Sequence, residues 1–343
     1  MTYFSNALCA KAKAIYGQRI EQELYSELSR KQSIVDAVNV LKSSGPYVEA
    51  FQSMNRLNVN RHIVEQALQK EYYKKMASLL RYIPSKHQSF YYHEMTKVEI
   101  EVILDKILHL LSGDDQGLGM EIPDYLSSKV TFNMFELINI HSYQALVKFL
   151  EKTKYYELLQ KYDVKDMSDF NHLEKELLEY YYTSLVQIVK KQFKGKTQKQ
   201  LLDIIYTSIE LKNFEKIYRL KKYFNASNIQ IMEIVSLQYS RLSRQDLMQL
   251  IESKDSEHFL QLLSKSKYQY YSDQDEFKYI EYHVEKIKYN IAKRYMRFSN
   301  EAPLVYLTIC ILQQIEVDNL KHIVEGLRYQ RAPHEIEEML IYT

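Results

Sequence analysis

Three stretches of this chain carry one pattern. Near the C-terminus, Ile315-Glu316-Val317-Asp318-Asn319-Leu320 runs on to Ile323, Val324 and Leu327. Leu320, Ile323, Val324 and Leu327 stand at i, i+3, i+4 and i+7, the spacing of one buried helix face. Gly326 lies where a residue free to turn left-handed can stop that helix. The pattern also occurs as Ile209-Glu210-Leu211-Lys212-Asn213-Phe214, and a worn copy reads Ile100-Glu101-Val102-Ile103-Leu104-Asp105. Glu101, Glu210 and Glu316 are spaced 109 and 106 residues apart. A chain patterned this way is expected to hold three tandem versions of one helical unit, at 1–117, 118–225 and 226–343.

The rest of the unit recurs in the same order. Ser33 opens an apolar-periodic segment as a natural N-cap, with Asp36 three residues on. Ser142 and Asp246 mark its counterparts, and Tyr47, Tyr155 and Tyr268 follow each one. His62-Ile63-Val64-Glu65, His172-Leu173-Glu174 and Tyr282-His283-Val284-Glu285 form a second recurring helix. Gly and Pro together number 12 of 343, far below the roughly 12% of average usage. So few breakers predict an all-α chain with short connections. Gly17 and Pro84 are the expected stops of helices that begin near Ala7 and Asn60. Ser112 to Pro123 holds three of the seven glycines and is the expected boundary loop.

Charge narrows the partners. With 46 basic against 44 acidic residues, there is no basic stripe of the strength a nucleic-acid binder shows. Cys9 and Cys310 lie far apart and imply no disulfide framework, which fits a reducing, cytosolic setting. The segment after Met1 lacks the order of a secretory signal. The longest apolar run, Ala302 to Leu312, is about half the roughly 20 residues that span a bilayer. The chain is expected not to enter the membrane by itself.

Catalytic patterns are broken where they begin. His93-Glu94-Met95-Thr96-Lys97 and His334-Glu335-Ile336-Glu337-Glu338 both lack the second histidine at i+4 that a zinc-protease helix needs. Gly195-Lys196-Thr197 has Lys190 where a phosphate loop needs glycine, and helix rather than strand before it. His62, His172 and His283 read as one inherited helix position, not a metal site. The expectation is no catalytic residue, no metal and no cofactor. Asn213 and Asn319 are unusual for a helix interior. Each either bonds to a neighbouring segment or meets a partner. With Lys216, Arg219, Lys321 and Arg328, they are the candidate partner contacts.

Taken in order, Ala7-Leu8-Cys9-Ala10-Lys11-Ala12-Lys13-Ala14-Ile15-Tyr16-Gly17, Asn60-Arg61-His62-Ile63-Val64-Glu65 and the Asp318-Asn319-Leu320-Lys321-His322-Ile323 helix with Gly326 resemble the central-stalk connector of V-type and A-type rotary ATPases. That family is the C subunit in bacterial and archaeal naming and the d subunit in eukaryotes. Where the family often has Asn-Ile-Arg and Gly-Lys, this chain has Asn319-Leu320-Lys321 and Gly326-Leu327. Lys321 keeps one charge, and Arg328 stands next to the place of the other. The resemblance implies a pseudo-threefold funnel of helical units around a central cavity. It implies a non-catalytic connector that makes shaft and ring turn together during H⁺ or Na⁺ transport. The implied partners are the shaft subunits (D and F type), the membrane proteolipid ring (c/K) and the membrane stator subunit (a/I). The implied place is the cytoplasmic face of the membrane, as a peripheral part of a complex. An unrelated helical-repeat scaffold gripping a peptide or protein would satisfy the same periodicity.

Overall fold

The computed structural model describes residues 3–55, 59–113, 129–268 and 280–342, with side chains from Ser5 onward. Among the described residues there is no strand, and the fold is all-helical. The expected boundary loop lies outside the described residues from 114 on. Two compact units emerge. One joins the two ends of the chain, Met1–Lys86 with Glu285–Thr343, and the other is built on His87–Leu118 and Ser127–Val284.

In chain order the first unit contributes α1 (Tyr3–Gly17), α2 (Gln22–Ser29), α3 (Ile34–Ser43), α4 (Val48–Phe51) and α5 (Arg61–Leu80). The second contains α6 (Gln88–Tyr92), α7 (Glu94–Ser112), α8 (Tyr143–Phe149), α9 (Tyr156–Leu159), α10 (Met167–Gln192), α11 (Gly195–Phe224), α12 (Asn228–Ile234), α13 (Arg244–Ile251) and α14 (Ser256–Ser264). A 3₁₀ turn at Met134–Asn139 precedes α8. Helix α15 (Ile280–Phe298) brings the chain back to the first unit, which ends with α16 (Ala302–Arg328) and α17 (Pro333–Glu337).

Capping fixes where these helices start. The side chains of Ser33, Asn60, Ser142, Ser243 and Asp255 each accept a hydrogen bond from a backbone N–H in the following turn. Each satisfies one of the donors a helix N-terminus leaves open, a contribution of about 1 kcal/mol. Gly17 ends α1, and α5 stops four residues short of Pro84, as the breakers predict. Between α10 and α11, Gly195 takes φ +61° and the Gln198 amide donates to the carbonyls of Lys190 and Phe193. The basic turn is thus a tight helix–helix connection.

Helix α16 is the core of the first unit. Every residue from Ala302 to Cys310 is buried, and the helix packs on α1 and α5. A helix buried all round is a core element, which accounts for the longest apolar run in the chain. Gly326 departs from expectation. It lies inside α16, and the left-handed residue comes later, at Gln330 (φ 52°). A Cβ at 326 would lie 2.6 Å from Ile336 Cγ1. Glycine is there to let α17 approach.

Candidate functional site

Glu210 and Glu316 are buried, which charged side chains almost never are unless paired. Glu316 on α16 accepts from the backbone N–H of Ile20 at 2.9 Å and from the Tyr47 hydroxyl at 2.9 Å, with Lys75 Nζ at 3.3 Å. Glu210 on α11 accepts from the Leu242 N–H, the Tyr268 hydroxyl and the Ser240 hydroxyl, the last at 2.6 Å, with Lys267 Nζ at 3.5 Å. On α7 the same environment belongs to Glu99. It accepts from the Thr131 N–H and the Tyr155 hydroxyl, with Lys154 Nζ at 3.0 Å.

This corrects the register of the first copy by two residues. Glu101 is half-exposed and pairs with Lys97 one turn away. The three equivalent positions are therefore 99, 210 and 316. Each cluster holds a carboxylate, a backbone N–H, a tyrosine and a lysine. In each, the lysine also lies over its tyrosine ring, at 5.2 Å (Lys154–Tyr155), 5.3 Å (Lys267–Tyr268) and 4.5 Å (Lys75–Tyr47).

The electrostatics follow from this packing. Burial, reinforced by the adjacent carboxylate, drives the hydroxyls of Tyr47, Tyr155 and Tyr268 far above the ordinary tyrosine range. They stay protonated and donate. Burial pulls Lys267 down, while Glu210 pulls it back up. Each carboxylate is met by donors on both oxygens, the condition under which a buried charge is tolerable.

The third cluster differs in its lysine. Lys154 and Lys267 precede their tyrosines in sequence, but Pro46 precedes Tyr47 and carries no charge. Lys75, from α5, stands in for it. A charge absent from one stretch of sequence is restored from another helix, so local motif reading could not find Lys75.

Asn213 and Asn319 also recur, three residues after their glutamates. The Asn213 amide donates to the Ser236 carbonyl and its oxygen accepts from the Ser236 N–H. Asn319 does the same to the backbone of Ile341, and its amide also reaches the Tyr25 hydroxyl at 3.3 Å. Both asparagines are buried, and their amides are spent on this chain's own backbone. Val102 occupies the corresponding place on α7.

The candidate cations are placed differently. Lys216 lies 3.4 Å from Glu174, and Arg219 pairs with Glu215 at 3.1 Å and Glu281 at 2.8 Å. Lys321 donates to Gln69 at 3.4 Å. Arg328 is exposed and lies over the neighbouring Tyr329 ring. Lys216 and Arg219 belong to the second unit, and Lys321 and Arg328 to the first.

The first unit has an open cleft of about 1010 Å³, lined by Lys11, Arg19, Lys74 and Lys75 against Glu21, Glu23, Glu49 and Glu71. Its mixed charge favours neither a strongly acidic nor a strongly basic ligand. Among the described residues no group of three or more His, Cys, Asp or Glu could hold a metal ion. None of their helices is long and apolar enough to cross a membrane.

Comparison with known proteins decides what these clusters belong to. The model of the ATP synthase (C/AC39) subunit family matches residues 8–339, which takes in all three glutamates and their tyrosines. The chain belongs to this family. Curated relatives carry the same assignment, each being the C subunit of an A-type ATP synthase. That of Archaeoglobus fulgidus is 25% identical over 246 residues, 68% of each chain. That of Methanococcoides burtonii is 30% identical over 202 residues, 56% of this chain and 54% of its own. That of Methanosarcina mazei is 33% identical over 90 residues, 26% of this chain. The chain spans about a quarter of the length of the Methanosarcina mazei relative, at 24%. This C/AC39 family member thus has an all-helical fold in which one buried carboxylate cluster is used three times.

Proposed function

We propose that this chain is the central-stalk connector of a V/A-type ATPase, joining the rotor shaft to the membrane proteolipid ring and passing torque without making or breaking a bond. One observation carries the mechanical part of the reading. Taking the repeat units as 1–117, 118–225 and 226–343, each buried glutamate is bound by the unit that follows. Glu99 is held by Thr131 and Tyr155, and Glu210 by Leu242 and Tyr268. The last, Glu316, is held by Ile20 and Tyr47 of the first. An open solenoid would leave the last glutamate without a follower. Such a hand-over is what the resemblance to a three-unit connector leads one to expect, and it favours that reading over an unrelated repeat scaffold.

Stiffness suits the role. Torque passed through a loose body would be dissipated in bending, whereas buried charge clusters that lose several kcal/mol when broken resist it. Under this reading the shaft subunits of D and F type and the proteolipid ring are the partners. Arg328 is the candidate cation most open to them. Arg219 is exposed but would have to exchange Glu215 and Glu281 for a partner's carboxylate, and Lys216 and Lys321 bond within the chain. Asn213 and Asn319 serve the fold that presents these cations. Co-purification of the tagged chain with shaft and ring subunits tests the proposal. Failure to capture either, or nucleotide hydrolysis by the isolated chain, would refute it.

A further inference from the structure

The turn joining α11 to α12 exposes three large apolar side chains within seven residues. Tyr223 is 64% exposed, Phe224 73% and Ile229 67%. Their presentation is fixed by the backbone. Asn225 ends α11 in the left-handed region (φ 45°), the Ala226 N–H returns to the Leu220 carbonyl, and Ser227 with Gln230 forms a capping box on α12. Aromatic rings this exposed on a braced turn are held out into solvent at a cost that burial within the chain would have removed.

The charges nearest the turn along the chain are basic, with Glu215 and Glu233 at its two flanks. Between Lys216 and Met232 there are four basic residues and no acidic one. Lys216 and Arg219 are paired with carboxylates, but Lys221 donates to the Ser253 carbonyl and Lys222 to the Tyr218 hydroxyl. Asp255 acts on Lys221 only at longer range. Lys222 is exposed at the tip, while the Lys221 ammonium is half-buried against Ser253.

The tip is a helix end and not a groove, so it cannot enclose a peptide. Tyrosine with lysine beside protruding Phe and Ile is the composition that settles at the headgroup level of a bilayer, rings inward and ammonium groups among the phosphates. We infer that the α11–α12 turn seats in the headgroup layer of an anionic membrane. This rests on the reading above, in which the chain works beside a membrane-embedded ring, and adds a direct contact with lipid.

Vesicle sedimentation of the full chain tests it. With vesicles of roughly 30% phosphatidylglycerol in phosphatidylcholine and about 50 mM salt, the wild-type chain should pellet. Neutral vesicles, about 500 mM salt, and the doubly substituted Phe224→Ser/Ile229→Ser chain should each lower binding about fivefold or more. Both positions are exposed, so the variant should keep its circular dichroism and melting temperature. A wild-type chain that stays in the supernatant with anionic vesicles overturns the inference, as does binding unchanged by the substitutions. If the same substitutions weaken capture of the lipid-free, detergent-solubilised proteolipid ring, the tip is a protein contact and the lipid assignment falls. Capture by the shaft subunits separates the two claims. Wild type and variant should be captured equally, and loss of vesicle binding alone would leave the connector reading standing.

Discussion

Replacing Glu316 with alanine should loosen the unit that joins the two ends of the chain. The carboxylate accepts from Ile20 N and the Tyr47 hydroxyl, both at 2.9 Å, and lies 3.3 Å from Lys75 Nζ. Lys75 borders the open cleft and can turn its charge to water, so its loss is small. The Ile20 N–H and the Tyr47 hydroxyl have no such exit, and each orphaned buried donor costs about 1–3 kcal/mol. The sum, about 2–6 kcal/mol, brackets the usual penalty of about 3–5 kcal/mol for breaking a buried ion cluster. Tyr47→Phe removes one hydrogen bond to a charged acceptor and should cost about 1.5–3 kcal/mol. The Glu316→Ala/Tyr47→Phe pair should cost less than the sum by about 1.5–3 kcal/mol, because the orphaned hydroxyl is gone.

Hydrogen exchange gives the direct readout. The Ile20 amide should exchange on the order of a hundredfold faster in Glu316→Ala, since each 1.4 kcal/mol is a factor of ten. Glu325→Ala on the same helix is the control. Glu325 is a surface partner of Arg61 at 3.5 Å, and its loss should cost about 0–1 kcal/mol. A Glu316→Ala cost below about 1 kcal/mol, or an additive cycle, would refute the claim that this cluster holds the unit together.

Other perturbations follow from individual contacts. Burial holds His93 at about 4, where it stacks on Tyr181 and bonds its carbonyl at 2.9 Å. The unfolded chain binds that proton near 6.5, so stability should fall by about 3 kcal/mol as pH drops from 6.5 to 4. Burial raises neighbouring Glu94 and acts in the opposite sense, so urea midpoints of wild type and His93→Gln at both pH values isolate the histidine. Gly326→Ala should destabilise by about 1–2 kcal/mol in a thermal melt, because crowding against Ile336 outweighs the roughly 1 kcal/mol of helix propensity gained. Gly17→Ala, with nothing within 4 Å of the new Cβ, should instead be neutral or stabilising by up to about 1 kcal/mol. Asn319→Ala should leave the Ile341 N–H and carbonyl unpaired at about 1–3 kcal/mol each, and limited proteolysis should then cut near the C-terminus first.

Much of this was legible in the residues. Ser33, Ser142 and Asn60 announce their helices because capping is local. Tyr47, Tyr155 and Tyr268 fall in the same order in each unit because they share one partner type. The register of the first copy was not legible from the glutamate alone. Val98-Glu99-Ile100-Glu101-Val102 offers two acids in the same apolar setting, and the group that chooses between them, Tyr155, lies 56 residues away. One local signal existed. Counting from Glu101 puts Asp105 opposite the buried Phe214 and Leu320, whereas counting from Glu99 puts Ile103 there. Gly326 was misread for a related reason, since a glycine near a helix end fits both a stop and a close approach. Only the position of Ile336 separates them.

The partnership of Glu316 with Ile20 and Tyr47 has a consequence for synthesis. Residues 1–86 emerge from the ribosome first, yet the carboxylate they enclose arrives only after roughly 230 more residues, about 10–50 s at ordinary elongation rates. His87 to Val284 is produced within that interval and can settle while the leading segment waits. The N-terminal helices must therefore pass through the nascent chain's lifetime with their apolar faces uncovered, and chaperone demand should concentrate there.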